Sequence, residues 1–126
     1  MVFEYIKTSK APAAVGPYNQ AVKAGNMLYV SGQLPIDPST GEMVTGGIEA
    51  EAGQCMKNVL AILAEAKLGA DDVVKATIYL KDMNDFIKVN EVYASFFSGV
   101  YPARVCVEIS RLPKDANLEI DAIACF

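Results

Sequence analysis

Two periods of apolar residues run along the chain and divide it into elements. Between residues 48 and 67 the apolar positions Ile48, Ala52, Cys55, Val59, Ile62, Leu63 and Ala66 recur mostly every three or four residues. That is the period of an amphipathic helix, and Gly69 ends it. Over 73–81 the period changes to two, with Val74, Ala76, Ile78 and Leu80 on one face and Lys75, Thr77, Tyr79 and Lys81 on the other. This predicts a half-buried strand. A second helical stripe, Phe86, Val89, Tyr93, Phe96 and Phe97, follows Asp82 and Asn84, either of which can cap it. Asn90 lies on that same stripe. Segments 3–7, 19–23 and 27–31 read as three early strands, the second and third joined by Gly25-Asn26 as a hairpin. Segments 104–110 and 118–126 read as two late strands around a loop with Pro113, Asp115 and Asn117. Between Leu34 and Gly47 the breakers Pro35, Pro38, Gly41, Gly46 and Gly47 predict a loop with turns. The order is βββ-α-β-α-ββ, without an internal repeat or charged linker. It predicts one α+β domain over 1–126, two helices covering one face of a mixed sheet and the other face left for a partner.

The late strands carry the candidate chemistry. Alternation places Arg104, Cys106 and Glu108 on one face of the first, with Val105, Val107 and Ile109 opposite; in the second, Glu119 and Asp121 lie opposite Leu118, Ile120, Ala122 and Ala124. If these strands pair, an arginine and carboxylates meet on one surface. Two readings are open. Arg104 grips a substrate carboxylate through its planar fork while Glu119 handles a water or a proton, or the pair is an exposed salt bridge worth at most about 1 kcal/mol. Cys106 beside Arg104 is either a thiolate nucleophile or a small buried residue whose backbone amide matters more than its sulfur. Asn90, polar on an apolar stripe, requires a partner, because an unsatisfied buried amide costs about 1–3 kcal/mol. A neighbouring backbone or a ligand would serve. Gly16-Pro17-Tyr18 and Ser31-Gly32-Gln33 stand at strand edges, where glycine either makes a turn or lets backbone approach a ligand.

Composition narrows the function. The sequence contains no histidine, which excludes Ser-His-Asp and Cys-His catalysis and His-based zinc sites. Apolar residues make up 52% and charged residues 21% of the 126, more hydrophobic side chain than a lone domain of this size hides. Self-association is expected. A net charge of −4 offers no footprint for nucleic acid or an anionic membrane. Residues 1–7 lack the apolar core of a secretory signal, and the longest apolar run, 59–64, is far below the roughly 18–20 residues of a membrane span. Neither export nor membrane insertion is expected. Cys55, Cys106 and Cys125 are widely spaced, as suits reduced thiols in a cytoplasm.

Three segments resemble the RidA/YjgF family of reactive-intermediate deaminases, and the similarity covers nearly the whole chain. They are Ala-Pro-Ala-Ala-Val-Gly-Pro-Tyr at 11–18, Val-Ser-Gly-Gln-Leu-Pro at 30–35, and Pro-Ala-Arg-Val-Cys-Val-Glu at 102–108, continued by Arg-Leu-Pro-Lys-Asp at 111–115 and Leu-Glu-Ile at 118–120. The last is the most specific, because it combines an arginine, a cysteine two residues on and a glutamate in the next strand. The resemblance implies a chorismate-mutase-like fold and a homotrimer with active sites in the clefts between subunits. The implied substrates are 2-aminoacrylate and 2-aminocrotonate with their imines, hydrolysed to pyruvate or 2-oxobutanoate and ammonia. By the same resemblance Arg104 binds the substrate carboxylate and Glu119 orients or activates water. Cys106 contributes backbone contacts, and Tyr18, Ser31 and Asn90 line the cleft. Neither a metal nor an organic cofactor is expected, because an imine is already electrophilic and the site need only position water and hold the acid. The loop 98–101 is shorter than in some relatives, which bears on the cleft rim. Two other classes compete: a trimer that binds small carboxylate metabolites without catalysis, and an endoribonuclease, which the missing histidine and acidic balance disfavour.

Overall fold

The computed structural model describes residues 2–126. Its frame is a six-stranded sheet of β1 (Phe3–Ile6), β2 (Ala21–Ala24), β3 (Met27–Gln33), β6 (Val73–Leu80), β7 (Ala103–Glu108) and β8 (Leu118–Cys125), in the order β1-β2-β3-β8-β6-β7. All neighbours are antiparallel except β6 and β7, which run parallel. Parallel neighbours need a crossover, and α2 (Phe86–Ala94) supplies it. The longer helix α1 (Ile48–Glu65) packs beside α2 on the same face. The expected α+β arrangement is observed, with one helix-covered face and one open face.

The covered face is the core. Leu28 and Val30, Ala76, Ile78 and Leu80, and the alternate residues Leu118 to Ala124 of β8 meet Cys55, Val59, Ile62 and Leu63 of α1 and Val89 and Tyr93 of α2. Burial of each large aliphatic side chain contributes about 1.5–3 kcal/mol. The open face carries Tyr5, Tyr29, Val105 and Val107, all exposed. Gly25 takes a φ of 63° in the β2–β3 turn, which glycine adopts without strain.

Several boundaries differ from the sequence reading, for local reasons. The Leu34–Gly47 segment is not only turns: Ile36–Asp37 (β4) and Glu42–Met43 (β5) form a small hairpin. Buried Asn58 of α1 anchors it by donating to the carbonyls of Leu34 and Ile36 at 3.0 and 2.9 Å. Helix α1 stops at Glu65, before Gly69, as Lys67 turns into the left-handed region with φ 62°. Val74 is exposed rather than on the buried face, because the β6–β8 register shifts between Val73 and Lys75. Helix α2 ends at Ala94, leaving Phe96 and Phe97 in the turns beyond it, while a short 3-10 turn, Met83–Asp85, precedes it. Asp82 provides the cap by accepting from the Asn84 amide at 2.9 Å.

The largest correction concerns the late strands. β7 and β8 do not pair, because β6 lies between them. Arg104 is opposite Ala76 and Cys106 opposite Ile78, on the helix-covered face, whereas Glu119 is opposite Tyr79 and Asp121 opposite Thr77, on the open face. Arg104 and Glu119 therefore leave opposite faces of one sheet and form no pair within a chain.

Candidate active site

Two separate groups of side chains result. The first surrounds Arg104 at the sheet edge. Helix α2 brings Phe86, Asn90 and Tyr93 to it: Arg104 Nη1 donates to Asn90 Oδ1 at 2.7 Å, and its guanidinium carbon lies 5.7 Å from the Phe86 ring centre and 5.1 Å from that of Tyr93. Asn90 thus has the partner its position demanded, and the partner is the arginine. No carboxylate lies within 4 Å of Arg104 among the described residues. A guanidinium has five N–H donors, so a half-buried cation is left with most of its donors unused. A cavity of about 400 Å³ opens beside it, walled by Asn90, Tyr93, Tyr101 and Pro102.

The free edge of β7 adds backbone donors. The Ile109 amide donates to the Leu80 carbonyl at 2.8 Å, so by alternation the amides of Arg104, Cys106 and Glu108 point away from β6 and out of the sheet. The Cys106 thiol is pushed up by burial, against the smaller opposing effect of the Arg104 cation. It is a thiol rather than a ready nucleophile. Glu108 acts locally, its Oε1 accepting from the Met83 amide at 2.9 Å and holding the turn before α2.

The second group surrounds Glu119 on the open face, in a cavity of about 440 Å³ bordered by Tyr18, Ser31, Gly32 and Lys114. Its position depends on a bulge. Val30 pairs with Ala122 but Gln33 with Ile120, so β3 holds one extra residue at Ser31-Gly32. The Glu119 side chain lies across Gly32, where a Cβ would fall 2.6 Å from its Cδ and 2.7 Å from Oε1. Ser31 is tied to the loop before β2: its Oγ donates to the Asn19 carbonyl at 2.5 Å and its amide to the Gln20 carbonyl at 2.9 Å. Burial, with the nearby Asp121 carboxylate second, raises the Glu119 pKa above the usual 4.5. Asp121 also accepts from the Tyr79 hydroxyl at 3.0 Å.

Comparison with known proteins identifies the family. The family model described as Endoribonuclease L-PSP matches residues 8–126. A RutC family protein of Pyrococcus horikoshii is 57% identical over 121 residues, 96% of each chain. The 2-iminobutanoate/2-iminopropanoate deaminase of Escherichia coli K12 is 51% identical over 122 residues, 94% of each. The chain belongs to the RidA/YjgF family. Among solved structures, a Rid family protein of Yersinia pestis superposes with a TM-score of 0.97 at 44% identity, covering 99% of this chain and 100% of that one. Escherichia coli TdcF with bound serine gives 0.94 at 44% identity, covering 98% of each chain.

Of the six residues singled out in this Rid-family chain, Arg104, Asn90 and the Cys106 backbone gather at the β7 edge, while Glu119, Tyr18 and Ser31 gather across the sheet. Sequence reasoning did not assign Phe86 and Tyr93 to the arginine, although their spacing from Asn90 contained that signal. For Gly32 it offered a turn or the approach of a ligand, and the neighbour occupying that space is the Glu119 carboxylate. Lys114, in the left-handed region with φ 57°, joins the Glu119 cavity unforeseen. No group of three metal-ligating side chains occurs among the described residues. Among the described residues no helix is long and apolar enough to cross a membrane.

Proposed function

We propose that this chain hydrolyses reactive 2-imino and enamine acids, 2-aminoacrylate and 2-aminocrotonate with their imines, to pyruvate or 2-oxobutanoate and ammonia, in the cytoplasm. The observation that carries the reading is Arg104, a half-buried cation oriented by Asn90 and with no carboxylate within 4 Å among the described residues. Such a group suits a small substrate carboxylate, which its fork and the outward Cys106 amide would hold together. Glu119, made more basic by burial, would take a proton from water as the oxygen attacks the imine carbon. The same carboxyl would return that proton to the imine nitrogen, giving the carbinolamine, and would then carry the adduct's hydroxyl proton to nitrogen as the C–N bond breaks, so that the carbonyl forms and ammonia leaves. The deaminase name of the 51% identical Escherichia coli relative supports this chemistry.

Because Arg104 and Glu119 leave opposite faces of their own sheet, we infer that each site combines Arg104, Cys106 and Asn90 of one copy with Glu119, Tyr18 and Ser31 of another. A homotrimer of single-domain, chorismate-mutase-like chains satisfies that requirement and covers the exposed Tyr29, Val105 and Val107 of the open face. The serine held by TdcF favours a second reading, a trimer that binds small amino-acid-like carboxylates without turning them over. The acidic balance, 15 Asp and Glu against 11 Lys and Arg, gives an RNA backbone little to hold.

The test generates imine in place with a serine or threonine dehydratase and follows 2-oxo acid release. The wild type should accelerate it, Arg104→Ala should abolish the acceleration, and Arg104→Lys should restore little, since an ammonium lacks the planar fork. Binding of 2-oxobutanoate by the wild type without acceleration would select the binding trimer. Wild-type turnover in Arg104→Ala would overturn the assignment.

A further inference from the structure

We propose that Phe86 and Tyr93 are positioning residues, which with Asn90 form a helical clamp that sets the plane of the Arg104 guanidinium. This rests on the reading of Arg104 as the carboxylate anchor. The three residues stand at i, i+4 and i+7 on α2, about 60° of arc apart at most, so they present a single stripe. All three side chains meet the same arginine. Asn90 fixes Nη1 by a 2.7 Å hydrogen bond, and the Phe86 and Tyr93 rings lie 5.7 and 5.1 Å from the guanidinium carbon, within the reach of cation–π attraction. One hydrogen bond leaves a guanidinium free to swing about it. Two flat rings restrict that swing.

Orientation matters because a bidentate fork recognises a carboxylate only when its donors are coplanar with the two oxygens. A long side chain that must be ordered by the ligand loses affinity, and one ordered beforehand does not. The Tyr93 hydroxyl fits this assignment to the ring: it is buried and has no hydrogen-bond partner among the described residues, although Tyr93 lines the Arg104 cavity. Phe97 packs on that ring with 4.9 Å between ring centres, and Tyr101 lies 6.0 Å from Phe97. The aromatic row thus runs from the core to the cavity mouth.

An orienting role differs from a structural one in what it changes. Loss of the clamp weakens the carboxylate grip equally in the ground and transition states, which raises KM and leaves kcat. The experiment compares Phe86→Leu, Tyr93→Leu and Tyr93→Phe in the full-length protein, measuring KM and kcat by 2-oxo acid release and the Kd of 2-oxobutanoate by calorimetry. Each leucine variant should raise KM and Kd about tenfold, as a desolvated cation–π contact supports. Their kcat should stay within about twofold. Tyr93→Phe, which restores the ring without the hydroxyl, should bring both constants back. Unchanged KM and Kd in a folded leucine variant would overturn the proposal, as would a fall in kcat at constant KM. Tyr93→Phe behaving like Tyr93→Leu would do the same. If Tyr93→Leu does not fold, Phe86→Leu at the partly exposed start of α2 decides the matter. Arg104→Ala in the same series separates the two levels. If it keeps wild-type binding, the anchor itself is wrong; if it loses binding while the leucine variants keep it, only the clamp is wrong.

Discussion

Glu119 shows what a single residue contributes and what it costs. Its carboxyl is half-buried beside Asp121, and its raised pKa makes it a better proton acceptor than an exposed glutamate. A carboxyl whose pKa is higher folded than unfolded holds its proton more tightly in the native state. Stability therefore falls as pH rises from the ordinary value near 4.5 through the raised one, and stays lower at neutral pH. Glu119→Gln removes that charge. It should lower turnover about 10²–10⁴-fold while 2-oxobutanoate binds with nearly unchanged affinity. It should also melt above the wild type at pH 7, with the difference closing as pH falls below about 4.5. Equal loss of binding and turnover would make Glu119 an organiser of the pocket instead. Alternation in the sequence singled out Arg104 and Glu119 but left a site and a surface ion pair both open, and only the family resemblance gave them roles. Their separation was not legible, since alternation orders side chains within a strand but says nothing about which strand lies beside which.

At the scale of elements, legibility followed length. α1 and β6 show several periods of their pattern and were found, whereas β4 and β5, two residues each, are too short to display one. Bulges escaped for a related reason: one extra residue at Ser31-Gly32 or near Val74 changes the face of a side chain without altering local composition. The bulge in β3 bears directly on the site, because it makes the space that Glu119 fills. Gly32→Ala places a methyl 2.6 Å from the Glu119 Cδ and must displace the carboxylate. Turnover should fall by at least tenfold, as expected when a reacting group moves by about 1 Å. The β7 edge, and so 2-oxobutanoate binding, should be largely spared. Wild-type kinetics in Gly32→Ala would show that the position of Glu119 is not critical.

At the scale of the molecule, apolar excess and an uncovered sheet face point the same way. Tyr29 is 49% and Val105 41% exposed on the side opposite both helices. The composition raises the expectation of self-association, and the number of copies comes only from the resemblance to Rid proteins. Sedimentation equilibrium should give about three times the 13.5 kDa chain mass. Tyr29→Glu, which puts a charge into that face, should shift the protein toward monomer and remove activity although Arg104 and Glu119 are intact. A fully active monomer would contradict the shared site.

The central claim, that each site takes Arg104 from one copy and Glu119 from another, can be tested by mixing two inactive variants. Arg104→Ala and Glu119→Gln are unfolded together in equal amounts and refolded, then assayed for 2-oxo acid release. If the site is shared, random reassembly pairs an intact Arg104 with an intact Glu119 at about one quarter of the interfaces, and about a quarter of wild-type activity returns. If both residues of a site come from the same chain, every site in the mixture carries one defect, and the refolded protein stays as inactive as either variant alone.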